Sequence, residues 1–166
     1  SKYKRIAYYS LETGLSTLLK RGNSIQEFSP EWFAGNSTLM FIKESSNAKV
    51  LTLQNLLDGT ETVVMNTSGL NEYRISPDGS KVAYRTNGLF YYDLQTLLST
   101  YVGNVSASGF DWSPDSKKLA YTTVSDGRIY VLSTENGSNT RLGESTAIAT
   151  RPVWTPSGVG IIYVAS

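Results

Sequence analysis

The ionisable residues best placed to do chemistry form a row. Glu27, Arg74 and Asp111 each stand directly before a hydrophobic residue (Phe28, Ile75 and Trp112), and Val153 holds the same place before Trp154. Two carboxylates on either side of a guanidinium admit two kinds of work. If Glu27 and Asp111 face each other about 5–9.5 Å apart, they form the paired carboxyls of a glycosidase. Otherwise the charges make a polar ring that receives a ligand, or an ion-pair network between neighbouring elements. Gln26, Glu72, Tyr73 and Arg151 lie beside this row and join Glu27, Arg74 and Asp111 as candidate binding residues.

Most other chemistries are excluded by composition. Cysteine and histidine are both absent, which removes thiol chemistry, Cys/His zinc sites and every His-based triad. No Gly-x-Ser-x-Gly elbow occurs, and a serine nucleophile without His needs a Lys or carboxylate partner. Asp78 and Asp115 are explained as turn residues, and Asp111 with Asp115 lacks the oxygen cluster that calcium requires. The expectation is therefore a non-enzyme with no metal and no cofactor. Fifteen basic and fourteen acidic residues leave a net charge of +1. They are scattered, whereas a nucleic-acid surface needs a basic stripe, so no nucleic acid is expected as partner. No apolar run approaches the ~20 residues of a membrane span, and no charged-then-apolar leader opens the chain. The chain starts at Ser1 without Met, as it would after removal of a leader or within a longer parent.

The elements that must position these residues repeat. Ser76-Pro77-Asp78-Gly79-Ser80-Lys81-Val82-Ala83-Tyr84 returns as Ser113-Pro114-Asp115-Ser116-Lys117-Lys118-Leu119-Ala120-Tyr121. Worn copies are Trp154-Thr155-Pro156-Ser157-Gly158 and Phe28-Ser29-Pro30, so that Pro30, Pro77, Pro114 and Pro156 fall 47, 37 and 42 positions apart. Short strands repeating at this period mark β-propeller blades. In the clearest unit, residues 109–112 read as strand A, 118–123 as B, 128–133 as C and 139–142 as D, with Asp126-Gly127 and Asn136-Gly137 as two-residue hairpin signals. Leucines at 11, 15, 18 and 19, and at 53, 56 and 57, fall at helical spacing, but Gly14 and Asp58-Gly59 align with the C–D turn of the clear unit and favour strand.

The expected fold is all-β: about four four-stranded antiparallel blades in a single propeller over 1–166, with units at 25–66, 71–102 and 107–142. The fourth unit, 151–166, supplies strands A and B, and 1–20 supplies the C and D that complete it. Pairing of residues 5–9 beside 161–165 would remove two open sheet edges, within a monomer or by exchange in a homodimer; a piece excised from a longer propeller is the alternative. Trp112, Trp154, Phe28 and Ile75 share one repeat slot, and Tyr121, Tyr163, Phe41 and Tyr84 another; both rows are expected to fill the wedges between blades. Strand A is innermost in a propeller, which sets the candidate residues at the channel mouth.

The two good copies, with the stretch from Gly127 to Leu142, resemble the PD40 repeat, the WD40-like repeat of the TolB family. The resemblance implies a propeller that serves as a binding or scaffolding module in bacterial envelopes, or as the gate domain of a prolyl-oligopeptidase-type hydrolase. Related propellers usually have six or more blades, so four units depart from the pattern. The resulting expectation is a non-catalytic module recognising a protein or cell-envelope component through its blade-connecting loops. Its expected location is extracytoplasmic: periplasmic, cell-surface or secreted. The gate or accessory role in a hydrolase is the alternative.

Overall fold

A computed structural model describes residues 4–19, 25–33, 37–46, 48–143 and 148–166. Residues 1–3 and 20 of the terminal unit, and 34–36 and 47 of the unit at 25–66, lie outside the described residues. All sixteen elements among the described residues are strands. They fall into two compact units, Ser1–Leu70 and Asn71–Ser166. The N-terminal unit holds a hairpin, β1 (Ala7–Tyr9) with β2 (Ser16–Leu18). It also holds a four-stranded antiparallel meander of β3 (Gln26–Phe33), β4 (Thr38–Glu44), β5 (Lys49–Asn55) and β6 (Glu61–Asn66). The C-terminal unit has two such meanders. One is β7 (Glu72–Ile75), β8 (Lys81–Arg85), β9 (Leu89–Asp93) and β10 (Leu98–Gly103). The other is β11 (Val105–Trp112), β12 (Lys118–Thr123), β13 (Ile129–Ser133) and β14 (Asn139–Arg141), and the hairpin β15 (Ala149–Trp154) with β16 (Ile161–Ala165) ends the chain. The two leucine-rich segments are strand and turn, not helix, because Gly14 and Gly59 close their turns at φ of +66° and +74°.

The A–B turns of the two clear copies are each built by a serine and an aspartate. The Ser76 hydroxyl donates to Asp78 Oδ1 at 2.7 Å and accepts the Lys81 amide at 2.9 Å, and Ser113 repeats this with Asp115 and Lys118 at 2.6 and 2.8 Å. Gly79 and Gly158 take the left-handed conformation the turn needs, at φ of +71° and +73°, and Ser116 takes it at +62° in the copy that has no glycine. The Ser116 hydroxyl is not idle: it accepts the Asp78 amide at 2.9 Å, joining successive turns.

Burial pushes the Asp78 carboxyl up, but hydrogen bonds from Ser76 and from the amide and hydroxyl of Ser80 outweigh it and hold it at about 2, below its ordinary 3.8. A depressed carboxyl contributes stability above its unfolded value and loses it as pH falls through the folded one. Asp78→Asn is thus expected to lower the melting temperature near neutral pH, with the gap to wild type closing from pH 3.8 down towards 2. Thermal melts across that range check it; a gap independent of pH counts against the charge.

The hydrophobic rows behave as propeller wedges in part. In the C-terminal unit Trp112 is buried with Ala83, Leu89, Phe110, Leu119, Tyr121 and Leu132. Its indole Nε1 donates to the Arg74 carbonyl at 3.0 Å, and its ring meets Tyr91 edge-on. In the N-terminal unit Phe41 packs with Ile6, Leu19 and Leu39. Trp154 is half-buried and Tyr163 exposed, because β15 and β16 form a sheet of two strands only.

One expectation is corrected. In β3 the slot held by Ile75, Trp112 and Trp154 belongs to Trp32, not Phe28: Trp32 pairs with Leu39 as Ile75 pairs with Val82, Trp112 with Leu119 and Trp154 with Ile161. The residue before it is therefore Glu31, not Glu27. The cause is a β-bulge between Phe28 and Glu31, where Ser29 has φ of +53° and Pro30 cannot donate to the ladder. Among the described residues β1 pairs with β2 and β16 with β15; closure by pairing of residues 5–9 with 161–165 is not shown.

Candidate functional site

Three first strands, β7, β11 and β15, line one cavity of about 370 Å3 in the C-terminal unit. Side chains alternate along a strand, so residues one and three places before the slot hydrophobe share a face. These are Arg74 and Glu72 on β7, Asp111 and Gly109 on β11, and Val153 and Arg151 on β15; all six line the cavity, with Phe110 and Pro152. Bulges between Val105 and Phe110 and between Thr150 and Val153 bend β11 and β15 around it.

The charges are organised around Glu72. Arg74 Nη2 lies 3.7 Å from Glu72 Oε1, and Arg85 reaches Glu72 Oε2 at 3.5 Å from the neighbouring strand. Arg74 Nη1 also donates to the Tyr73 carbonyl at 3.0 Å. Asp111 Oδ2 accepts the Trp154 amide at 2.8 Å, tying β11 to β15. Burial pushes the Asp111 carboxyl up, while the amides of Trp154 and Trp112 and the Arg74 guanidinium pull the other way; the net direction is up. Arg151 is exposed, with its backbone at φ of +54°, and its side chain makes no hydrogen bond or ion pair with the described residues.

Of the candidates named from sequence, Glu72, Arg74, Asp111 and Arg151 come together here. Tyr73 does not line the cavity: strand alternation turns it to the opposite face, where it is buried. Gln26 and Glu27 lie on β3 in the N-terminal unit. Glu27 is buried, and its Oε2 accepts the Ile6 amide at 3.4 Å. A carboxylate so enclosed serves the fold and is not a solvent-facing acid or base, which withdraws the glycosidase pairing. Arg85 was not among the candidates, although the Tyr73–Tyr84 pairing of a β7–β8 hairpin places Arg85 opposite Glu72. Among the described residues no group of three or more acidic side chains is arranged to hold a metal ion, and no helix is long and apolar enough to cross a membrane.

Known structures share this arrangement of four-stranded meanders. TolB from Acinetobacter baumannii superposes with a TM-score of 0.73 at 22% identity, over 96% of this chain and 42% of that one. The fold is that of a TolB-like β-propeller. No family model matches the sequence of this propeller chain. Among curated proteins it is 27% identical over 107 residues to the uncharacterized peptidase YuxL of Bacillus subtilis, covering 55% of this chain and 16% of that protein. It is also 24% identical over 151 residues to dipeptidyl-peptidase 5 of Porphyromonas gingivalis, covering 75% and 22%. The propeller chain thus spans less than a quarter of either peptidase.

Proposed function

We propose that this chain is a non-catalytic binding propeller, acting outside the cytoplasm, whose cavity on β7, β11 and β15 receives a protein or cell-envelope component. The observation that carries the reading is the convergence of Glu72, Arg74, Asp111 and Arg151 on one open cavity. Ligand sites characteristically combine a concave, partly apolar wall with a few placed polar groups, in volumes of about 300–1,000 Å3. The chemistry for catalysis is missing from these residues: no nucleophile stands beside a base. The likeness to TolB supports the binding role, though a fold hosts many functions.

A second reading is favoured by the identity to two peptidases: the same module is the gate or accessory domain of a hydrolase whose nucleophile lies elsewhere. Both readings use the cavity for a peptide-like ligand, so one experiment addresses the site. Random-peptide display against the chain is expected to enrich sequences whose binding is lost in Arg74→Ala. Peptides that bind this variant equally well move the partner surface elsewhere. Incubation with chromogenic dipeptide amides is expected to give no turnover; turnover that follows the purified chain overturns the non-catalytic reading.

A further inference from the structure

The slot three residues before the strand-A hydrophobe is bent into the left-handed region wherever β-bulges occur. Ser29 has φ of +53°, Gly109 +108° and Arg151 +54°. Glycine meets this demand without strain, and any L-residue meets it at a cost. At 151 the strain is compounded by Pro152, which restricts the residue before it. The fold thus explains the conformation but not the choice of arginine. Nor does packing explain it, since the side chain is exposed and bonds to no described residue.

The other charges around the cavity are already engaged. Glu72 is shared by the Arg74 and Arg85 guanidiniums, and the Asp111 carboxylate receives the Trp154 amide. Among the charged side chains that line the cavity, Arg151 is the one that makes no hydrogen bond or ion pair with the described residues. Beside it Phe110, Pro152 and Val153 provide apolar wall. A planar guanidinium with all its donors available matches a carboxylate through two parallel hydrogen bonds.

We propose that Arg151 is a carboxylate-binding residue, and that the cavity takes a peptide by an acidic group, either an Asp or Glu side chain or a free C-terminus. This rests on the cavity being the ligand site, and it adds the chemistry of the ligand.

The test titrates four peptides onto the full chain by amide NMR: acetyl-tetraglutamate amide, acetyl-tetraglutamine amide, and acetyl-tetraalanine with a free or an amidated C-terminus. The expected result is that a carboxylate-bearing peptide shifts the amides of Gly109, Arg151 and Val153, that added salt weakens it, and that the neutral peptides leave them unmoved. Tetraglutamate binding without the tetraalanine acid assigns the group to a side chain; the reverse assigns it to the C-terminus. Arg151→Gly is expected to weaken binding at least about ten-fold, a loss of ~1.4 kcal/mol. Because glycine accepts the bulge, this variant keeps its melting temperature or gains up to about 4 °C. Arg151→Lys, which retains charge without the fork, falls between. Carboxylate binding that survives Arg151→Gly overturns the inference, as does a clear drop in melting temperature, which would make the guanidinium a structural group. Neutral peptides that bind and are lost in Arg74→Ala overturn the carboxylate but leave the cavity as ligand site. If no peptide from this panel or from display senses Arg74→Ala, both fail.

Discussion

Trp112→Ala is expected to lower the unfolding free energy by about 3–5 kcal/mol, the range for emptying a large aromatic site in a packed core. The indole is 4% exposed and sits between side chains of two successive sheets, Ala83 and Leu89 on one and Phe110, Leu119, Tyr121 and Leu132 on its own. Its removal also strips the Arg74 carbonyl of the donor at 3.0 Å. Domains are stable by only about 5–15 kcal/mol, so the change consumes a large part of the margin. Urea denaturation measures it. A loss below ~1 kcal/mol would place the indole in solvent and turn it from wedge to ligand-stacking surface. Because the Arg74 carbonyl belongs to a cavity-lining residue, the variant is also expected to weaken peptide binding at temperatures where it remains folded.

Phe41→Ala is expected to cost a similar ~3–5 kcal/mol, but the damage should appear elsewhere. Phe41 is fully buried against Ile6, Leu19 and Leu39. Ile6 and Leu19 flank the β1–β2 hairpin, whose closing bond runs from the Leu19 amide to the Ile6 carbonyl at 3.0 Å. Losing the ring removes the apolar floor on which that hairpin rests. Amide exchange should therefore accelerate at Leu19 and at Ile6, whose amide is bound by Glu27, while β8 and β12 keep their protection under conditions where exchange is local. Uniform acceleration through all sixteen strands would mean that the hairpin does not open independently.

Much of this was legible from single residues. Strand β12 runs from Lys118 to Thr123 as read, and Asp126-Gly127 marked the turn into β13. Local chemistry suffices there, because turn residues and alternation both act over a few positions. Ser-Pro opens A–B turns at 76 and 113 but forms a bulge at 29, so Pro30 does not hold the turn place that its spacing predicts. The two uses differ in what pairs across the ladder, which depends on residues 38–42 and not on the dipeptide. Glu27 beside Phe28 looked like a solvent-facing acid, and its partner, the Ile6 amide, is twenty-one residues away. Arg74 and Tyr73 were both candidates, although a strand can present only one of two neighbours to a cavity. The strain at Arg151 needed the bulge register, which sequence spacing does not carry.

Ser116 bears on how such an array can be inherited. A blade copied from residues 71–102 would bring glycine to the turn, and the new junction would be relaxed but unstitched. A blade copied from residues 107–142 would carry the hydroxyl that captures the preceding turn's amide, together with a left-handed serine at every junction. Lengthening by duplication therefore has two routes from this one chain, a slack one and a tense one. The two modules share one turn motif, yet they are not interchangeable parts.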